Sequence, residues 1–169
     1  MKDIANYMKI AKITIISVGK IKEAFYQDAV AEYSKRLSAY CKLEIKELTD
    51  EKTPEGASAE TEKLIKEKEG GRILKALDEK AYSLALSIDG KKYDSPGFAG
   101  QLEKLTLSGK SHIQFIIGGS LGLSEKVLQK ADGKVSFSDM TFPHQLMRVI
   151  LLEQIYRAFR INNNEPYHK

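Results

Sequence analysis

Residues 12–18 read Lys-Ile-Thr-Ile-Ile-Ser-Val, a nearly unbroken β-branched run. A strand that is apolar on both faces needs cover on both faces, which excludes a solvent-facing sheet surface. The run leaves through Gly19-Lys-Ile-Lys, and residues 23–39 then place Ala24, Phe25, Ala29, Val30, Tyr33 and Leu37 at helical spacing. This strand-then-helix unit recurs along the chain. Lys42–Leu48 alternates charged and apolar residues and predicts a strand exposed on one side. A polar loop follows, then a charged helical stretch over 57–79 that Gly70-Gly71 should break or bend. Tyr82–Ile88 reads as the third strand, with Asp89-Gly90 as its turn, and Ser95-Pro96 opens a helix to about Leu107. His112–Ile117 is the fourth strand. It runs into Gly118-Gly-Ser-Leu-Gly122, after which Ser124 caps a helix to about Lys130. Lys134–Phe137 is a short fifth strand, and a terminal helix spans about Phe142–Arg160.

Strand and helix in repeated alternation predict an α/β fold, a mostly parallel sheet with helices on both faces. Ligands of such sheets collect beyond the carboxyl ends of the strands. Those ends fall near Gly19, Ile88-Asp89, Gly118-Gly119 and Phe137-Ser138, and the last three are candidate walls of one pocket.

The 169 residues suit one domain, 12–169, preceded by a flexible extension, 1–11, unless the chain starts at Met8. A single cysteine, Cys41, forbids an internal disulfide and fits a reducing cytoplasm. Three scattered histidines and one cysteine give no metal-ligand spacing, so no metal is expected. No stretch reaches the ~18 apolar residues of a membrane helix, and residues 1–11 lack the apolar core of a secretory signal. The net charge of +4 gives slight support to a polyanionic partner.

Three features can carry chemistry. The turn Gly118–Gly122 lacks the Gly-x-Gly-x-x-Gly spacing and follows the fourth strand, so it is not a dinucleotide fingerprint. It is either a tight strand-to-helix turn or a place where a ligand meets the backbone. The loop Phe137-Ser-Asp-Met-Thr-Phe142 can wrap a purine with backbone amides, or simply cap the helix after Pro143. The terminal helix is apolar all round at Val149-Ile-Leu-Leu152, with Leu146, Ile155 and Phe159 extending the stripe. A second copy of the chain or its own neighbouring helices must cover the extra face. His144 and Arg148, then Glu153 and Arg157, are paired at i, i+4. Tyr156, Tyr167 and His168 can stack on a base if the fold gathers them.

Together these pieces closely resemble the RlmH family of SPOUT-class methyltransferases. The matching segments are Lys12-Ile-Thr-Ile-Ile-Ser-Val-Gly-Lys20, Glu67-Lys-Glu-Gly70, Ile116-Ile-Gly-Gly119, Phe142-Pro-His-Gln145, Arg148 with Glu153-Gln-Ile-Tyr-Arg-Ala158, and Tyr167-His-Lys169. The match runs over nearly the whole chain from Met8 or Lys12 onward, and these segments are spread along it. The resemblance implies a C-terminal trefoil knot, an exception to the rule against threaded chains, and a homodimer. It implies S-adenosyl-L-methionine as cofactor, held at Leu86, Gly118, Gly119, Phe137, Ser138, Asp139, Met140, Thr141 and Phe142. It implies methyl transfer to N3 of pseudouridine 1915 in helix 69 of 23S rRNA, on the assembled ribosome, in the cytoplasm. His144, Arg148, Tyr167 and His168 are then the residues expected nearest the target nucleotide. Glu153, Tyr156, Arg157 and Lys169 are expected to support them or to contact RNA.

Two rival readings follow from the same residues. One is a small-molecule, nucleotide-dependent α/β enzyme built on the Gly118–Gly122 turn. The other is a non-catalytic dimeric protein that binds the ribosome or RNA with the same fold.

Overall fold

The computed structural model describes residues 10–169. The part of the expected extension before Ile10 lies outside these residues. Ile10 and Ala11 do not behave as an extension: Ile10 is fully buried in the core, and the Ala11 amide donates to the Ser111 carbonyl at 2.8 Å.

Five strands and five helices alternate: β1 Lys12–Val18, α1 Ala24–Leu37, β2 Lys42–Leu48, α2 Ala59–Ala76, β3 Tyr82–Lys92, α3 Ser95–Leu107, β4 His112–Ile117, α4 Glu125–Lys130, β5 Gly133–Ser136 and α5 His144–Asn162. The sheet order is β2-β1-β4-β3-β5, and every pairing is parallel. The apolar run of β1 lies inside the sheet, between β2 and β4. The period-2 alternation of side chains then feeds two cores. Ile13, Ile15, Phe115 and Val135 face Leu37, Phe98, Leu102, Leu151, Leu152 and Phe159 of α1, α3 and α5. Ile16, Val18 and Ile116 face Ile73 and Val127 of α2 and α4.

Two local expectations need correction. Gly70-Gly71 does not break α2; the helix runs through both. Gly70 is there for contact: a Cβ on it would collide with the Ser124 hydroxyl. The ~1 kcal/mol that a helical glycine costs is offset by letting α2 lie against the start of α4. Asp89-Gly90 is not the turn out of β3. It belongs to a bulge, because Leu86 and Lys91 both pair with Val135 and the strand resumes to Lys92. A Cβ on Gly90 would sit 2.6 Å from the Val135 backbone, so glycine lets the returning strand close against β5.

Candidate active site

The β3 bulge and the carboxyl ends of β4 and β5 enclose a cavity of about 770 Å³. That lies within the ~300–1,000 Å³ usual for small-molecule sites. Its first wall is the β3 bulge, with Leu86, Ser87 and Ile88. The second is the turn Gly118–Leu123, closed by the Gly122 amide donating to the Gly119 carbonyl at 3.1 Å. A Cβ on Gly118 would lie 2.8 Å from the Gly122 carbonyl carbon, so this wall is bare backbone by necessity. The third wall is the loop after β5, with Phe137, Ser138, Met140, Thr141 and Phe142. That loop is pinned locally: Ser136 Oγ donates to the Ser138 carbonyl at 3.1 Å, and the Met140 amide donates to Ser138 Oγ at 3.0 Å. Phe137 is anchored on Phe98, ring centroids 5.9 Å apart. Asp139 stands apart from its neighbours: its exposed carboxylate pairs with Lys92, and it does not line the cavity.

His144, the first residue of α5, lines the same cavity. Its ring packs on Gly19, whose left-handed φ of 92° and missing side chain make the room; a Cβ there would sit 2.9 Å from His144 Cε1. His144 Nδ1 is buried and has no hydrogen-bond partner among the described residues. Burial first, then the adjacent Arg148 cation, hold the imidazole below its ordinary pKa. It is therefore a neutral ring at neutral pH.

Arg148 sits one turn further along α5, fully buried and outside the cavity lining. Its Nη1 donates to Glu47 Oε2 at 2.6 Å and its Nη2 to the Gly19 carbonyl at 3.1 Å. Burial pushes the Glu47 carboxyl up, but the Arg148 bond and the Ile21 amide outweigh it and hold it below the usual carboxylate range. Arg148 thus ties α5 to the ends of β1 and β2 and fixes the Gly19 turn under His144.

The other expected residues gather elsewhere. After α5 the chain turns at Asn164, in the left-handed region, and folds back on its own helix. Arg160 holds this return through Glu165 and the Pro166 carbonyl. Tyr167 stacks edge-on against Tyr156, centroids 5.0 Å apart, and lies under the Arg157 guanidinium at 4.6 Å. Its hydroxyl donates to Glu153 Oε1 at 3.1 Å, and the same carboxylate oxygen takes the Arg157 Nη2 at 2.7 Å. Burial, then the Glu153 charge, push the Tyr167 phenol up to about 12, so it serves as a donor. His168 is exposed, with Nδ1 3.2 Å from Arg157 Nη1. A guanidinium only donates, so Nδ1 accepts and the ring proton sits on Nε2. Lys169 is exposed at the end. Glu153 lies nine residues beyond His144, roughly 13 Å along the helix axis, and Arg157 roughly 20 Å. One chain therefore carries two separate clusters, the cavity with His144 and the aromatic-basic cluster at the far end of α5.

The model of a family described as "Predicted SPOUT methyltransferase" matches residues 11–168. The chain belongs to the SPOUT methyltransferase family. Among its relatives is the ribosomal RNA large subunit methyltransferase H of Bifidobacterium adolescentis, 61% identical over 158 residues, which are 94% of this chain and 99% of that protein. The protein of the same name from Clostridium acetobutylicum is 57% identical over 157 residues, 93% of this chain and 99% of that one. In fold, the SPOUT chain is similar to the structure of a probable methylase family protein from Haemophilus influenzae Rd KW20. The TM-score is 0.52 at 13% identity, covering 96% of this chain and 71% of the other.

Several residues of the SPOUT cavity and its supports escaped the sequence reading. Ser87 and Met147 line the cavity, Glu47 anchors Arg148, and Glu69 lies against Gly119. Met147, three residues after His144, was findable from helical spacing. Glu47 and Glu69 were not, because their partners are distant in sequence.

Proposed function

We propose that this protein transfers a methyl group from S-adenosyl-L-methionine to N3 of pseudouridine 1915 in helix 69 of 23S rRNA, acting on the assembled ribosome in the cytoplasm. One observation carries the reading: a cavity of about 770 Å³ walled by apolar side chains and bare glycine backbone, with a histidine at its edge, in a chain about 60% identical to proteins named ribosomal RNA large subunit methyltransferase H.

The cavity fits the cofactor. Apolar side chains such as Leu86, Ile117 and Leu128 suit an adenine ring, the 137–142 loop offers backbone groups to its edge, and the bare Gly118–Gly119 backbone admits close contact. When bound, the cofactor supplies a methyl group on a cationic sulfur, which leaves as a neutral thioether. The protein must hold the imide in line with that methyl and help its N3 proton to leave. His144 is suited to the second task, being neutral and at the cavity edge. Tyr167 and Tyr156 offer faces for a base, and Arg157, His168 and Lys169 offer positive or donor groups to phosphate.

Within one chain these groups are too far from His144 to share a substrate. The reading therefore includes a homodimer in which the tail cluster of one subunit completes the cavity of the other. Leu146, Val149 and Ile150, half-buried on the face of α5 away from the core, support such a contact. It also includes the trefoil knot. The chain must cross from the edge strand β5 over β3 and β4 to set His144 on the turn after β1, passing the Gly118–Leu123 turn on the way.

Isothermal titration calorimetry tests the cofactor assignment. Binding of S-adenosylmethionine and S-adenosylhomocysteine without binding of NAD or ATP is expected. The reverse pattern would favour the small-molecule enzyme. Deleting Tyr167–Lys169 should leave cofactor binding near wild type and abolish methyl transfer; normal turnover in the truncated protein would remove the tail from the account.

A further inference from the structure

The segment Glu67-Lys-Glu-Gly70 has no role in the function so far, yet α2 delivers its last two residues to the cavity wall from behind. Gly70 lies on Ser124, the N-cap of α4, where any side chain would collide. Glu69 lies on Gly119, where a Cβ would be 2.6 Å from its Oε2. Two consecutive residues thus clamp both ends of the turn 118–124. Gly119 faces the cavity, so only one residue's backbone separates the Glu69 carboxylate from the lumen.

This carboxylate is in an unusual state. Glu69 is 4% exposed and forms no ion pair among the described residues. Its one hydrogen bond there, from the Glu51 amide, is long at 3.5 Å. Its charged neighbours are Asp50 and Glu51, of like sign, and Arg72, whose guanidinium is already taken by Glu51 and the Thr49 carbonyl. Burial first, with the Asp50 and Glu51 charges adding, raises its pKa, so a cation arriving at the turn would favour its charged form. A buried carboxylate without a cation is costly unless a cation comes to it, and such groups cluster at functional sites.

We infer that Glu69 is a positioning and selectivity residue: its charge, acting through the bare backbone of Gly119, favours a ligand carrying a positive charge at the methyl-donor position over one that is neutral there. This rests on the cofactor reading above. In that reading it draws in the sulfonium form and lets the neutral thioether product go. The effect is electrostatic and acts at short range, with an expected size of about ten-fold in affinity.

Calorimetry on the full chain reads the charge preference directly. S-adenosylmethionine and sinefungin both carry a cation where S-adenosylhomocysteine carries none, and the three share the rest of their structure. The wild type is expected to bind both cationic ligands in preference to the neutral one. In Glu69→Gln, which keeps the side chain's volume and its acceptor for the Glu51 amide, affinity for both should fall about ten-fold while that for S-adenosylhomocysteine stays near wild type. Circular dichroism checks the fold of the variant. Equal losses for all three ligands would make Glu69 a structural brace only and overturn the inference, as would an unchanged preference. A wild type with no preference for the cations would overturn it without any variant. If the wild type binds none of the three, the cofactor reading itself fails and takes this inference with it.

Discussion

His144 and Arg148 are one helical turn apart and do different things. His144 is kept neutral by burial and by the Arg148 charge. A base must be unprotonated to work, so the protonated fraction should cut the rate only below its ordinary pKa of 6.5. The kcat/KM profile is expected to be flat above that value with its acid limb below it. An acid limb centred above 6.5 would mean another group is the base. His144→Gln should lower kcat by about 10²–10⁴-fold, the usual weight of a positioned base, with cofactor affinity nearly kept. Arg148 is placed to hold the Gly19 turn. Arg148→Ala should destabilise the fold by about 3 kcal/mol, the low end for opening a buried pair, because Glu47 retains access to water. Lysine should not substitute, since a single ammonium cannot bridge Glu47 and the Gly19 carbonyl as the guanidinium fork does. Urea unfolding of the variants measures both. The sign of the Glu47 contribution also follows. Its lowered pKa gives stability that is present above the ordinary carboxylate range and is lost as pH falls through the folded value.

The two glycines inside α2 separate packing from propensity. Nothing lies within 4 Å of a Cβ on Gly71, whereas one on Gly70 strikes the Ser124 cap. Gly71→Ala should stabilise by up to about 1 kcal/mol. Gly70→Ala should destabilise, because the displaced serine loses a cap worth about 1 kcal/mol and the helix is pushed off the turn. Thermal melts should move in opposite directions; a shared direction would contradict the packing argument. This contrast also shows what the sequence could reveal. The runs Lys12–Val18 and His112–Ile117 announced themselves as buried strands because their residues specify the element locally. The three pocket walls followed because strand ends in a parallel sheet face one way. Gly70 and Gly90 were misread because both look like breakers, and only their neighbours Ser124 and Val135 explain them. Asp139 was expected at the cavity with the rest of its loop, but alternation along an irregular loop has no fixed period, and its carboxylate found Lys92 instead.

At the scale of the molecule, α5 is a rod with the cavity at one end and the tail cluster at the other, and its residual apolar face lies between them. The proposed dimer across that face would turn two incomplete sites into complete ones. Mixing His144→Gln with the chain lacking Tyr167–Lys169 should then restore activity, because a mixed dimer holds one cavity with its histidine facing one intact tail. If each subunit worked alone, the mixture would stay inactive. The proposed dimer predicts a large, salt-dependent RNA contact, to which each subunit would contribute Arg157, His168 and Lys169. The most direct test of the whole account is transfer of a labelled methyl group to ribosomes that carry the pseudouridine but lack its methylation. The account predicts label incorporated at N3 of that single nucleotide, with none taken up by ribosomes already modified. A protein that binds S-adenosylmethionine and the ribosome yet transfers no label would contradict it.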